Sequence, residues 1–222
     1  MGRTSQVENG HEPRVVRQRL VRTAFELLRD EGFSHASASA IAVRCGLDPD
    51  LITVHFDSVN DLLVEALAHS SRTQLVRYQK SLAEVGTVAE LVQAADGQLR
   101  EDFDSGHVKV LAEMVAASAA DKELRAAVLA QVQPWMAFTE ETLERVLVPS
   151  GLINVVSPEQ GAFTIVALFV GMELLAGIGN QGDEDFIADL FDSVHHLTGL
   201  LGALSDGFGS RPEPETGPSA VL

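Results

Sequence analysis

Cysteine, tryptophan and tyrosine each occur once in this 222-residue chain. A lone Cys45 cannot close an internal disulfide or build a multi-cysteine zinc site, so a reducing compartment and no metal are expected. Aromatics make up only 5% of the residues, while Ala, Leu and Val abound. Strand-like alternation is scarce as well, which favours an all-α protein. The chain opens without a basic segment followed by an apolar core and a small-residue cleavage site, so no secretion signal is expected and the expected location is cytoplasmic. It also lacks a zinc-protease motif, a phosphate loop, a nucleophile elbow and a cysteine–histidine catalytic arrangement. Neither enzymatic turnover nor a cofactor is therefore expected.

What is present suffices for a packed core, with 45% hydrophobic and 22% charged residues. The net charge of −16 argues at first against nucleic acid, because phosphates repel carboxylates. Its distribution weakens that objection. Residues 1–80 carry ten Lys/Arg and ten Asp/Glu, whereas residues 81–222 carry six and twenty-two. This segregation points to two parts with different tasks.

Residues 1–12 lack apolar periodicity and read as a flexible arm, and the Pro/Gly/Ser-rich residues 205–222 read as a disordered tail. Between them run helical signals. Pro13 suits a first helical position, and Val16, Leu20, Ala24, Leu27 and Leu28 form one apolar stripe. Gly32 is expected to end that helix as a left-handed cap, with Phe33 folding back. Ser37 is a candidate cap for a short helix with Ile41, Ala42 and Cys45 inside and Gly46 at its close. Asp48-Pro49 then restarts a helix through Leu51, Ile52 and Phe56. Two short helices around a glycine turn form a helix-turn-helix arrangement. Ser58-Val59-Asn60-Asp61 reads as a capping box opening a helix from Leu62 to about Leu82. Further helices are expected near 88–104, 107–120 and 122–148, the last kinked at Pro134. A full capping box at Ser157-Pro158-Glu159-Gln160 starts a helix to about Gly179, and a final helix is expected from Asp185 to Leu204.

The pieces AFELLRDEGF (24–33), SASAIAVRCGL (37–47) and HFDSVNDLLVEAL (55–67) resemble the DNA-binding domain of the TetR family of transcriptional regulators. Gly32-Phe33, Ile41-Ala42, Gly46-Leu47, His55-Phe56 and Leu62-Leu63 stand in that family's order and spacing. The resemblance implies a three-helix helix-turn-helix domain over 13–67 and a larger helical ligand-binding and dimerisation domain over 68–204. It also implies double-stranded DNA with a palindromic operator, a small-molecule effector and a second copy of the chain as partners. Residues 48–56 would lie in the major groove, which requires Asp50 and Ile52 to be open to it. Arg14 and Arg17, the helix start at Ser37, Arg44, Thr53 and His55 would meet phosphates. Asp48, Asp50, Leu51 and Val54 complete the expected contact set. Asp50 suits a cytosine amino group and Leu51 a thymine methyl. In three places the chain departs from the family pattern. Thr53 replaces the usual tyrosine, Val59 replaces a common lysine, and residues 48–56 hold two aspartates without Lys or Arg. These departures support an alternative function, an interaction or ligand-sequestering protein with weakened or lost DNA binding.

The run Gly161–Gly179 approaches the length of a membrane span, yet no Lys/Arg cluster flanks it. It is better read as a helix buried between subunits. Phe163, Phe169, Leu190, Val194, Leu197 and Leu201 are the expected dimer contacts. Phe103, Glu113, Met114, Trp135, Phe138, Met172 and Glu173 are candidate pocket residues, weighed against ordinary core packing. The His195-His196 pair diverges by about 100° around a helix and does not suit one metal.

Overall fold

A computed structural model describes residues 13–91, 93–94, 98, 105–176 and 196. The protein is all-α, and no strand occurs among the described residues. We number the longer helices α1 (Pro13–Glu31), α2 (Ala38–Cys45), α3 (Asp50–His55), α4 (Val59–Ser81), α5 (His107–Ala117), α6 (Lys122–Leu147) and α7 (Pro158–Ala176). Helical backbone also begins at residue 88. The arm, the tail and the final helix expected at 185–204 lie outside the described residues, apart from His196.

Local chemistry explains the boundaries. The Ser37 side chain accepts a hydrogen bond from the Ala40 N–H, and Gly46 closes α2 in the left-handed conformation (φ 64°) that a residue with a Cβ rarely adopts. Asp48 Oδ1 accepts the Asp50 N–H at 2.9 Å, with Pro49 already helical. Ser58 accepts the Asp61 N–H, while its hydroxyl donates to the Asp61 carboxylate at 2.9 Å. The reciprocal arm of this box thus reaches the serine hydroxyl. Asp121 caps α6 by accepting from the Glu123 and Leu124 N–H groups. Thr87 and Glu90 form a reciprocal box at the start of the 88 helix, a Thr-x-x-Glu signal legible in the sequence. At Gly32 the structure departs from expectation. Its φ is 82°, but ψ is 173°, so the residue has a positive φ yet lies outside the left-handed helical region of a cap. α6 runs through Pro134, as the expected span of 122–148 requires.

Packing begins with the stripe on α1. Leu20, Leu27 and Leu28 are fully enclosed, each contributing about 1.5–3 kcal/mol by burial. They share a core with Ile41 and Cys45 of α2, Ile52 of α3, and Leu62, Leu63 and Leu67 of α4. The same cluster also takes Val110, Leu111 and Met114 from α5 and Leu124 and Val128 from α6. The amino-terminal helices and the body are therefore welded through α5. A second cluster joins Leu82 and Val85 to Leu143, Val146 and Leu147 of α6 and Ala162 of α7. There Arg145 donates to the Leu82 and Val85 carbonyls, satisfying acceptors at the end of α4.

His107 opens α5 in a nearly sealed position, 3% exposed. Burial foremost, and the nearby Arg77 second, lower its pKa from 6.5 to about 4. Below pH 6.5 the unfolded chain binds a proton that the folded imidazole refuses until about pH 4. Stability should therefore fall by up to about 1.4 kcal/mol per pH unit through that window. Urea unfolding at several pH values checks this, and His107→Gln should remove this part of the slope. Gly32→Ala should cost on the order of 1–3 kcal/mol in the same assay. The positive φ strains an alanine, whose Cβ would also lie 2.9 Å from Glu113 Oε2.

Candidate nucleic-acid interface

α2, the turn at Gly46 and α3 form a helix-turn-helix whose two faces are chemically distinct. On α3 the inner face is Ile52, 1% exposed, flanked by the half-buried Leu51 and followed by the buried Phe56. Asp50, Thr53 and Val54 make the outer face, Val54 being 69% exposed. The expectation that both Asp50 and Ile52 face a groove is thus corrected: Ile52 anchors the helix in the core, and Asp50 alone is open. A helix of six residues has to use part of its circumference for anchoring, which divides such neighbours. On α2 the exposed positions include Ser39, Val43 and Arg44, with Ser37 at its start. Val43, 79% exposed beside this surface, was not singled out by the sequence reading.

The cations expected at phosphates are partly engaged. Arg14 is exposed near the start of α1. The Arg17 guanidinium lies 4.8 Å from the centroid of the Phe56 ring and 3.7 Å from the Glu65 carboxylate. It ties α1 to the end of α3 and to α4. Arg44 is turned onto α1, bonding the Asp30 carboxylate and, at 2.9 Å, Glu31. Two carboxylates at the end of α1 therefore compete with any phosphate for the Arg44 charge. Hydrogen bonding to Arg29, then to Arg44, lowers the Asp30 pKa. The Thr53 hydroxyl donates to the Asp50 carbonyl at 2.8 Å, so its proton is used within α3. Asp48 has one carboxylate oxygen in its cap, and His55 is half-buried. Of the expected contact residues, Arg14, Ser37, Asp48, Asp50, Thr53 and Val54 are all exposed.

The body places its candidates differently from a single pocket. Glu113 lies one residue from Met114 but serves the head: its Oε2 accepts the Phe33 N–H at 2.9 Å, across 80 residues of sequence. A carboxylate in half-buried surroundings finds a partner in a free backbone donor after α1. Met114 is fully buried in the first core. Trp135 and Phe138 do come together, edge-on to Tyr78 at 5.3 and 6.4 Å between centroids. Trp135 also stacks on His107 at 5.8 Å. The sequence reading missed Tyr78, Arg77 and His107. Arg77 and Tyr78 come from α4 and His107 from α5, and no short-range spacing signals that meeting. Met172 is buried in α7. Phe103 lies outside the described residues, as does the side chain of Glu173. Phe163 is 64% exposed on α7 and Phe169 half-buried, whereas Leu190, Val194, Leu197 and Leu201 lie outside the described residues. Among the described residues no cluster of ligating side chains suits a metal, and no helix is long and apolar enough to cross a membrane.

Comparison with known proteins meets this geometry. An uncharacterised HTH-type transcriptional regulator of Mycobacterium tuberculosis is 26% identical over 107 residues, covering 48% of this chain and 55% of the relative. The match thus spans about half the length of the curated relative. Among solved structures, the fatty acid degradation regulator FadR of Bacillus halodurans superposes with a TM-score of 0.66 at 14% identity, covering 86% of this chain and 96% of that one. A transcriptional regulator of Rhodococcus gives 0.62 at 21% identity, covering 83% and 94%. A Saccharomonospora viridis protein solved in complex with choline gives 0.63 at 19%, covering 80% and 94%. These structures share the fold. Residues 20–66 match the family described as bacterial regulatory proteins, tetR family. The likeness to that family covers the amino-terminal helix-turn-helix segment.

Proposed function

We propose that the protein is a homodimeric, ligand-responsive transcriptional regulator, a repressor that leaves a palindromic operator when a small molecule binds the body, residues 68–204. The observation that carries this reading is the helix-turn-helix with Ile52 anchored and Asp50, Thr53 and Val54 open. Each copy would offer α3 to one major groove, and two-fold symmetry demands half-sites about 34–36 Å apart or a multiple of that. Arg14 and the α2 start at Ser37 would hold phosphates, and Asp50 would favour a cytosine amino group.

The dimer is supported by α7. Phe163, Leu168 and Leu175 are exposed along it, an apolar display suited to a second copy. Leu190, Val194, Leu197 and Leu201 would complete a four-helix bundle across the two-fold axis. Control by a ligand is supported by α5, which begins at His107 inside the body and carries Glu113 to the Phe33 N–H of the head. A molecule favouring one position of α5 would shift the population of head orientations, to the extent of its differential affinity. The choline of the Saccharomonospora viridis neighbour supports a small-molecule site within this fold. In this reading the protein has no catalytic chemistry and no cofactor, and it works in the cytoplasm.

A second reading is favoured by Arg17 and Arg44, both engaged by carboxylates. With those cations neutralised, the fold would serve as a dimeric interaction or ligand-sequestering protein. Fluorescence anisotropy with DNA from the protein's own promoter region separates the two. Saturable binding that weakens with salt supports the regulator; none at low salt supports the second reading.

In that assay Arg17→Ala should weaken binding and reduce the slope of log K against log salt by about 0.9. Weaker binding with an unchanged slope would assign Arg17 to holding Phe56 rather than a phosphate. Glu113→Ala should lower stability by about 1.5–3 kcal/mol in urea unfolding and loosen DNA binding, and Glu113→Gln, which keeps an acceptor, should restore most of both.

A further inference from the structure

The last turn of α1 carries its charges against the usual preference, and the inference drawn from this rests on the DNA-binding role proposed above for the head. The carboxyl end of a helix bears a partial negative charge, which favours cations and disfavours carboxylates. α1 nevertheless ends Arg29-Asp30-Glu31, with a single basic residue in that turn. The compensating charge comes from another helix. Arg44 of α2 bonds both acids, one terminal nitrogen donating to Asp30 Oδ2 and the other to Glu31 Oε1 at 2.9 Å. Both prongs of the guanidinium fork are therefore occupied by anions.

The anchor of this contact is positioned from behind. Asp30 Oδ1 also accepts from Arg29 Nε at 2.8 Å, so both oxygens of the carboxylate are held. The aliphatic stem of Arg29 in turn lies over Gly106, just ahead of α5, where a Cβ would collide with its Cγ and Cδ. An ion pair between freely moving surface side chains contributes little, whereas a forked cation on a positioned carboxylate keeps its geometry. Two arginines and two carboxylates leave this corner neutral. Yet 33% of the Arg44 side chain remains exposed, so an outside anion can reach it. α2 is the first helix of the helix-turn-helix, the element that crosses the sugar-phosphate backbone when the second lies in the groove. Arg44 stands in the last turn of α2 next to Val43, and both are exposed. To a guanidinium, a pair of carboxylates and a phosphate offer the same thing, charged oxygens within reach of both prongs.

We propose that Asp30 and Glu31 form an intramolecular latch on Arg44, standing in for a DNA phosphate and setting the affinity of the head for duplex DNA. The duplex gains the Arg44 contact only by exchange, with two internal pairs broken for one phosphate contact made. Arg44 thus adds little to binding while the latch is closed, and the two acids, rather than the cation, fix its contribution.

The test uses the full-length protein and two labelled duplexes of equal length, one from the protein's own promoter region and one of unrelated sequence, followed by anisotropy across salt concentrations. Asp30→Asn combined with Glu31→Gln removes both charges and keeps the side-chain sizes. This released form should bind both duplexes about three- to tenfold more tightly, with a slope of log K against log salt steeper by about 0.9. Arg44→Gln should cancel both gains in the released form, and should change affinity by less than about twofold in the native form. A phosphate carries no sequence information, so the preference between the two duplexes should stay the same. Glu31→Gln alone, acting on a carboxylate that is 49% exposed, should give a smaller gain of about twofold and serves if the double variant does not fold. Unchanged affinity in the folded variants overturns the latch and leaves the regulator reading standing. A gain that survives Arg44→Gln overturns it too, as the effect of lost negative charge in general. Binding of both duplexes by the released form but not by the native protein supports the latch and accounts for the weak native binding. Failure of every form to bind at low salt removes the latch and the regulator reading together.

Discussion

The hydrogen bond from the Phe33 N–H to the Glu113 carboxylate is the contact on which the relation between head and body turns. It joins the end of α1 to the middle of α5, and it lies where Gly32 has a positive φ and leaves no room for a Cβ. A carboxylate so placed fixes the entry to α2, and α2 with the Gly46 turn sets the angle of α3. Behind it, Val110, Leu111 and Met114 extend the core of the head into the body. The two parts therefore do not behave as beads on a string, because separating them would expose apolar surface as well as a charged acceptor.

That arrangement gives α5 two neighbourhoods. Its first residue is enclosed among Ser70, Arg77 and Trp135, and its later turns are held by α1. This helix thus has one end in a polar, aromatic interior and the other packed against the amino-terminal helices. The electrostatics of the head follow a related economy. Arg17 and Arg44 do structural duty between α1, α2, α3 and α4, so the cationic potential offered outward is smaller than a count of arginines implies. Balanced charge in the first 80 residues is therefore necessary for approach to a polyanion but not a measure of its strength.

Much of the fold is legible along the chain because it is written in short-range chemistry. The stripe from Val16 to Leu28, the Ser37 cap, the Gly46 turn, the Asp48-Pro49 restart and the Ser157-Pro158 box each act within a few residues, and each places a boundary of a helix. The alternation of inner and outer faces on α3 is harder to read. Six residues hold less than two turns, and whether Ile52 looks inward depends on α1 and α4 being there to receive it.

Charge segregation, the helix-turn-helix and the family resemblance were thus properties of the sequence by itself. The tertiary structure decided the partners. It alone brought Glu113 to Phe33, Arg44 to Asp30, Arg17 to Phe56, and Trp135 to Tyr78 and His107. The physical reason is range. Caps and periodicity are satisfied by neighbours in the chain, whereas a long charged or aromatic side chain takes whichever complementary group packing delivers, and that is known only once the helices are placed.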